Sequence, residues 1–370
     1  MSTRQVLRKS RVLFYAKSAG NTLPIAFSLS IEALGSSITC LSTNIGLPSK
    51  SLLTREGFHN KSAAVKDHRV ALSDVLAELS RRQLPSGGWA ALRSSAQASL
   101  EPTCLATLAM GSEDSDAERS AQDFLLCVQN PNGSWPAFFG DDQDGVWVTS
   151  LAVIALRDVV SAIPARLRGV GWLLECVGRE SNWLWKWKFR TVDRHVRFDP
   201  DKFGWPWIPD TVSWVVPTAF AILALSQVPC SCGGLEDIPV RVDRGIEMLI
   251  DRACPGGGWN AGNGVVYGSA LAPHPDDTAI ALLALGNRTQ HPVVQTSVDW
   301  LEQTTSTLTA PWSLAWAVLA LAAHGRAVGS LITSLTALPD VSANDDTCTL
   351  ALVCLAGDCR RALAALGMNL

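Results

Sequence analysis

Long apolar runs, a surplus of either charge, and tyrosine are all scarce in this chain of 370 residues. No uninterrupted apolar segment of about 18 residues occurs, so the sequence predicts no transmembrane helix. Charged residues make up 18% and the formal net charge is −3. This balance does not favour nucleic acid as a partner. Two tyrosines stand against fourteen tryptophans, a density that suggests a fixed structural position for tryptophan.

Residues 1–65 differ in composition from the rest of the chain. Basic side chains precede the first acid, Glu32, but no clean apolar region follows them. A targeting segment, a disordered extension and a mis-assigned start all stay open. We expect 1–65 to be a poorly ordered N-terminal extension and 66–370 to form the folded domain.

The ten cysteines do not suggest a metal site. Several of them lie inside apolar runs, as is typical of small core residues in a reducing compartment. Cys230 and Cys232 form a Cys-x-Cys pair, but no second pair follows at zinc spacing. We therefore expect no bound metal and a cytoplasmic location, with membrane association left open.

A repeat begins near residue 66. Its clearest copy, RSAQDFLLCVQNPNGSW (119–135), ends with Gln129, Gly133 and Trp135. The first part has helical period, the glycine is expected to end the helix, and the tryptophan is expected to fold back as an apolar staple. The tryptophans that end the degenerate copies are Trp89, Trp183, Trp259 and Trp312.

An apolar run follows each copy of the repeat. The six runs begin at Thr103, Thr149, Thr218, Thr278, Ser313 and Thr347. Ser and Thr are typical of helix N-termini. Helices that are apolar all round must be buried on every side. The sequence therefore predicts an all-α fold of about six helical hairpins, an α/α toroid with the apolar helices as its inner ring.

The third unit carries an aromatic insertion at 184–212. Tryptophan recurs within and beside it, and a long loop on a regular scaffold often holds binding residues. A packed lid without a ligand is the alternative interpretation.

Gln129, Gly133 and Trp135, with their degenerate copies, resemble the QW repeats of squalene-hopene and oxidosqualene cyclases. Residues 204–225 and 257–285 resemble bacterial proteins with prenyltransferase/squalene-oxidase repeats, so the resemblance extends over most of the domain. It implies a terpenoid cyclase-like toroid whose partner is an isoprenoid or another apolar small molecule, with no cofactor. Full triterpene cyclases have two toroids, whereas this chain has length for one. A partner domain or subunit and peripheral membrane contact therefore stay open.

Protein prenyltransferase β subunits share this toroid and bind zinc through an Asp-x-Cys pair and a histidine. No Asp-x-Cys followed by a suitably placed histidine occurs here. Zinc-dependent protein prenylation is therefore not expected.

Class II terpene cyclases, which the chain resembles, protonate their substrate with a D-x-D-D motif followed by Thr-Ala. In HPDDTA (274–279), Asp276 stands in the donor position, Asp277 stands beside it, and His274 replaces the first aspartate. Crowded carboxyls in an apolar cavity raise one pKa, whereas a protonated histidine lowers it. The resemblance implies that these three residues are catalytic. The alternative is that Asp277 only caps a helix, as the similar Asp345–Asp346 pair before Thr347 suggests.

The remaining acidic and aromatic candidates are weaker. Asp141, Asp142 and Asp144 do not form a DDxxD motif and are interpreted as a solvated loop. Indole and phenol rings stabilise carbocations. The residues proposed to bind substrate in this way are Trp207, Trp214, Tyr267 and Trp316.

Three functions remain open at this point. The first is a terpenoid cyclase-like enzyme with an acid-initiated reaction. The second is a non-catalytic toroid that binds a lipid or a partner protein. The third is a carbohydrate-active α/α barrel, which needs two carboxyls facing each other across a cleft.

Overall fold

The structure, a computed structural model, describes residues 72–111, 115–141, 143–193, 195–228, 237–338 and 343–368. The N-terminal extension 1–65, Asp142, and the pair Cys230 and Cys232 lie outside the described residues. The statements below concern the described part of the chain.

Six helical hairpins follow one another in the described residues. The outer helices are α1 (Leu72–Arg81), α3 (Ser115–Cys127), α5 (Ile163–Glu175), α8 (Ile238–Asp251), α10 (Pro292–Thr304) and α12 (Gly329–Thr336). The inner helices are α2 (Leu100–Met110), α4 (Val146–Ala155), α7 (Val215–Ser226), α9 (Pro275–Ala284), α11 (Pro311–Ala323) and α13 (Thr347–Gly357). Helix α6 (Trp183–Thr191) lies in the insertion, and α14 (Cys359–Ala365) ends the domain.

The inner helices form a closed ring. They contact one another in the order α2, α4, α7, α9, α11, α13, and α13 contacts α2. Nearly every inner-helix residue is buried, whereas the outer helices bury one face. An apolar helix needs neighbours on all sides, and only closure of the ring supplies them to all six. The prediction of an all-α toroid is confirmed.

A backbone hydrogen bond ties each of four inner helices to the next hairpin. The N–H of Leu100, the first residue of α2, donates to the Ala137 carbonyl at 2.9 Å. In the last hairpin, the N–H of Thr347 donates to the carbonyl of Ala91 in the first hairpin at 3.0 Å. The other two bonds join Val146 to Trp207 and Val215 to Ala261. The last hairpin therefore joins the first by the same contact that joins neighbours.

A buried tryptophan fastens four of these hairpins. Its indole N–H donates to a carbonyl of the outer helix at 2.6–2.8 Å. Its backbone N–H donates to a threonine Oγ1 in the inner helix at 2.8–2.9 Å. The tryptophans, with their carbonyl and threonine partners, are Trp89 (Leu79, Thr103), Trp135 (Leu125, Thr149), Trp205 (Leu173, Thr218) and Trp259 (Leu249, Thr278). The staple predicted from the residues is confirmed at Trp89, Trp135 and Trp259.

Two of the predicted staples are wrong. Trp183 is 76% exposed on α6, and Trp205 takes its place. Most of the insertion, residues 184–204, therefore lies before the staple of this hairpin and not between the staple and the inner helix. Trp312 lies in the first turn of α11 and is partly buried.

The threonines and glycines of the repeat also differ from expectation. Thr103 and Thr149 do not begin their helices but lie within the first turn, where the hydroxyl accepts the tryptophan N–H. The glycine does not end the outer helix. Gly133 has φ of 95°, and a Cβ there would lie 2.6 Å from the Arg168 carbonyl oxygen on the next outer helix. Glycine is needed at this turn because the conformation is left-handed and the backbones approach closely.

The two ends of the ring differ. At the C-terminal ends of the inner helices, α14 contacts α2, α11 and α13. At the N-terminal ends, the loops carry two small hairpins, β1 (Trp89–Ala90) with β2 (Ala98–Ser99) and β3 (Val265–Val266) with β4 (Ser269–Ala270). No helix in the described residues is long and apolar enough to span a bilayer.

Candidate active site at the mouth of the inner ring

The N-terminal end of the ring is a shallow mouth, defined here by the second residue of each inner helix. Trp316, one turn below Trp312 on α11, contacts Phe220 on α7 with ring centroids 6.0 Å apart. Because α9 stands between these helices in the ring, this contact crosses the ring interior. The mouth residues lie one helical turn above that interior layer. They are Glu101, Trp147, Val216, Asp276, Trp312 and Cys348.

The ring is filled directly below the mouth. The next interior layer is at most 4% exposed and consists of Leu105, Leu151, Phe220, Ile280, Trp316 and Leu352. A cavity of about 10 Å³ lies against Leu105, Leu151 and Trp316. That volume is about enough for one water molecule, and its wall is largely apolar. A substrate at this end of the ring would therefore lie across the mouth and not deep inside the ring.

Two carboxyls and two indoles are arranged around the mouth with approximate two-fold symmetry. Glu101 on α2 and Asp276 on α9 stand at equivalent positions, and two helices separate them in either direction around the ring. Trp147 on α4 and Trp312 on α11 are opposite each other in the same way. The mouth thus presents two opposed acids and two opposed aromatic side chains.

Glu101 is an acid of the mouth that lies outside the D-x-D-D-like motif. The Trp147 indole N–H donates to Glu101 Oε2 at 3.3 Å, and Trp147 packs edge-on against Trp207 with centroids 5.3 Å apart. Burial raises the pKa of Glu101 to about 7, and the nearby Asp346 charge acts in the same direction. The Trp147 hydrogen bond opposes this shift. The carboxyl therefore keeps its proton to a much higher pH than an ordinary glutamate.

A signal for Glu101 was present in the sequence. Glu101 precedes Thr103 by the same spacing that separates Asp276 from Thr278. The D-x-D-D pattern does not include Glu101, because Ser99 and Pro102 occupy the positions of its other two acids.

The motif His274, Asp276 and Asp277 opens α9. His274 is the N-cap residue, so the interpretation of Asp277 as the N-cap is wrong. Asp277 is the third helical residue, and its Oδ2 lies 2.8 Å from His274 Nδ1. Burial raises the pKa of Asp277 to about 6, the Asp276 charge adds to the rise, and His274 opposes it. The pKa rise caused by burial therefore falls on Asp277, whereas Asp276 is the α9 residue that lies at the mouth.

Two other acids near this end of the ring, Asp346 and Asp144, have structural partners. Asp346 is the N-cap residue of α13 and accepts a hydrogen bond from the Thr349 hydroxyl. Asp144 accepts hydrogen bonds from Asn130, Asn132 and Ser134, which organise the turn before Trp135. No group of three or more His, Cys, Asp or Glu suited to a metal ion occurs among the described residues.

The four aromatic candidates lie in four different places. Trp207 lies at the mouth against Trp147, and Trp214 is the N-cap residue of α7 beside Gly262. Trp316 is buried in the interior layer. Tyr267 is 76% exposed and stacks on His195 at 4.8 Å, so it does not line the ring interior. Of these four residues, only Trp207 contacts a side chain, Trp147, that is hydrogen-bonded to an acid of the mouth.

The aromatic insertion is held to the toroid by buried polar contacts. The buried Arg252, at the end of α8, lies over the ring of Phe198 in the insertion at 4.0 Å. Arg241 lies over the Trp205 ring at 3.5 Å and donates to the Gly204 carbonyl at 2.7 Å. A buried charge is tolerated only when an opposite charge or hydrogen bonds compensate for its lost hydration. These contacts support the interpretation of the insertion as a packed element beside the mouth.

Comparisons with known proteins establish the fold. No protein-family model matches the chain, and no curated protein matches it. An alpha-amylase from Clostridium perfringens is similar with a TM-score of 0.54 at 9% identity, over 80% of this chain and 99% of the other. A type II terpene cyclase from Scytonema, solved with its product merosterolic acid A, is similar with a TM-score of 0.50 at 12% identity. That match covers 79% of this chain and 96% of the other. The chain therefore has an α/α toroid fold.

Proposed function

We propose that the mouth of the inner ring is the active site of an acid-initiated reaction on an isoprenoid or a similar apolar substrate. The observation that carries the proposal is Glu101, whose carboxyl is desolvated against the Trp147 indole. Asp276 and Asp277 form a second group of acids on the opposite helix. Carboxyls that stay protonated beside aromatic faces are what alkene protonation requires.

In the proposed reaction, a protonated carboxyl transfers its proton to an alkene or epoxide of the substrate. The carboxyl O–H bond breaks. With an alkene, the π electron pair forms the new C–H bond and leaves a carbocation. With an epoxide, the ring oxygen accepts the proton and the C–O bond opens to leave the carbocation. The indole faces of Trp147, Trp207 and Trp312 stabilise that cation through their quadrupoles. Loss of a proton from the substrate to a carboxylate ends the reaction and restores the acid.

The environment of Glu101 suits both stages of this cycle. Burial favours the protonated acid, and the hydrogen bond from Trp147 favours the carboxylate that remains after proton transfer. The Trp147 N–H donates to the carboxylate, so it stabilises the conjugate base produced by proton transfer. On α9, the Asp276 charge favours protonation of Asp277. The similar fold of the type II terpene cyclase is compatible with this chemistry at the level of architecture.

The test is incubation of the purified full chain with squalene, geranylgeranyl diphosphate and a geranylgeranyl arene, followed by mass spectrometry of the extract. We expect a cyclised product that is lost in Glu101→Gln or Asp276→Asn. Asp345→Asn, an exposed acid beside the N-cap of α13, is the matched control. The proposal fails if none of the substrates is converted, or if both mouth variants form as much product as the control.

A second candidate is hydrolysis of a glycosidic bond, which the opposition of Glu101 and Asp276 favours. Neighbouring helix axes lie ~8–10 Å apart and side chains reach ~5–6 Å from an axis, so opposed carboxyls in a ring of six are separated by roughly 4–10 Å. Glycoside hydrolysis uses two carboxyls about 5–10 Å apart. Hydrolysis of a panel of aryl glycosides and oligosaccharides, without conversion of isoprenoids, would favour this candidate over the first.

A further inference from the structure

Helix α6 carries an apolar face without a partner in the described structure. Trp183, Leu184 and Trp187 are 76%, 52% and 57% exposed. Trp187 lies four residues after Trp183 and three after Leu184, so the three side chains share one side of the helix. Large apolar side chains grouped in this way on a surface mark a site of contact with another molecule or a membrane.

The other face of α6 is partly buried against neighbouring segments, and these contacts orient the exposed face. Trp185 contacts Phe189 at 5.9 Å, and Phe189 contacts Phe198 edge-on at 4.9 Å. Arg179 and Lys188 lie over the Trp185 ring at 5.1 and 4.6 Å. The exposure of Trp183 and Trp187 is therefore not a consequence of a detached helix.

The surroundings of the exposed face are basic. The stretch 183–202 contains six Lys or Arg and three Asp, in a chain whose net charge is −3. Asp201 pairs with Lys186 and Arg190, and Asp193 pairs with Lys188. The Arg197 side chain, in the loop that follows α6, is exposed. A positive surplus beside tryptophan and leucine matches the polar and apolar layers of an anionic lipid surface.

We propose that α6 docks this face of the protein on a bilayer containing anionic lipids. Trp183 and Trp187 would lie at the headgroup level, where the amphipathic indole is favoured, with Leu184 between them. The basic side chains would contact the lipid phosphates. The docking requires none of the acids at the mouth, so it does not depend on the proposed function.

The position of α6 relates the docking face to the mouth. The insertion connects the C-terminal end of α5 to the N-terminal end of α7, which is the mouth end of the ring. Docking through α6 therefore directs the mouth side of the toroid toward the lipid surface. An apolar substrate dissolved in the bilayer would then reach the mouth without crossing bulk water.

The test is flotation of the full chain with phosphatidylcholine vesicles, with and without phosphatidylglycerol. We expect the protein to float with the anionic vesicles and less at high salt. The variant Trp183→Ser, Leu184→Ser, Trp187→Ser is expected to lower the partition coefficient by about tenfold or more. Arg197→Glu is expected to lower it on anionic vesicles only.

The matched control is Val160→Ser with Val240→Ser. These residues are 80% and 60% exposed and lie after α4 and in the first turn of α8, at the other end of the ring. Circular dichroism establishes that each variant is folded. Equal flotation of the triple variant, the control and the unmodified chain would overturn the proposal. So would self-association that the triple variant abolishes while the unmodified chain binds no vesicles, because the face would then join two copies.

Discussion

The indole N–H of Trp147 donates to the Glu101 carboxyl across the boundary between two neighbouring inner helices, α4 and α2. Both residues occupy the second position of their helix, and the same position on α9 holds Asp276. The mouth is thus built from equivalent positions of different repeats. Its chemistry depends on which side chain each repeat supplies there.

Stability should decline as the pH rises through neutrality, and Glu101 should account for part of that decline. Its pKa is about 7 in the folded chain against 4.5 for the free group. The folded state therefore binds more protons between these values, so the free energy of unfolding falls with rising pH there. Chemical denaturation at pH 5 and pH 8 should show a smaller difference in Glu101→Gln, by on the order of 2–3 kcal/mol. Identical pH dependence in both proteins would contradict the desolvation of this carboxyl.

Asp277→Asn should reduce the same pH dependence at lower pH. The pKa of Asp277 is raised from 3.8 to about 6, so its destabilising ionisation occurs between these values. Removing the charge should raise stability at pH 7 relative to the unmodified chain, because the desolvated carboxylate is no longer formed. Asp276→Asn, measured by the same denaturation, separates the contribution of the neighbouring charge. A loss of stability in Asp277→Asn at pH 7 would show that the contact with His274 outweighs burial.

Asp276→Asn and Glu101→Gln should each lower kcat by about 10²- to 10⁴-fold if they transfer protons in the reaction. Both variants keep side-chain size, so KM should change much less. The measurement is steady-state turnover of whichever substrate the product search identifies. A loss confined to KM would assign these carboxyls to binding and not to proton transfer.

Trp316→Phe should be much better tolerated than Trp135→Phe. The Trp316 Nε1 is buried without a hydrogen-bond partner among the described residues, whereas the Trp135 indole N–H donates to the Leu125 carbonyl at 2.7 Å. Both changes leave a similar void, but only the second removes a buried hydrogen bond. The two losses of unfolding free energy should differ by about 1–3 kcal/mol in urea titrations. Equal losses would indicate that the Trp316 N–H has a partner such as a bound water.

Trp205→Ala and Trp183→Ala should separate the staple from the exposed tryptophan of the third hairpin. Removal of the fully buried Trp205 should cost about 3–5 kcal/mol. Removal of Trp183, which is 76% exposed, should change stability by less than about 0.5 kcal/mol. Thermal unfolding of both variants makes the comparison. Comparable losses of stability in the two variants would support the sequence-based prediction that Trp183 is the staple of this hairpin.

The repeat was visible in the sequence because the interactions that define it are local. An outer helix, a glycine turn, a tryptophan and an apolar helix follow one another within one hairpin, so their spacing recurs along the chain. The staple at Trp135 could be predicted for this reason. The staple at Trp205 could not, because the insertion separates it from α5, and no local rule selects among the tryptophans 183, 185, 187, 205 and 207.

The amino-acid sequence by itself determined the six hairpins, the burial of the inner helices and the acids that open α9, since helical period and apolar composition act over a few turns. Only the tertiary structure decided which residues face one another. Ring closure placed Glu101 opposite Asp276, and the packing of α4 against α2 brought the Trp147 indole to the Glu101 carboxyl. It also filled the interior with Trp316 and Phe220, so the proposed reaction would take place at the mouth. These relationships join residues of different hairpins, so they exist only once the hairpins have packed into the ring.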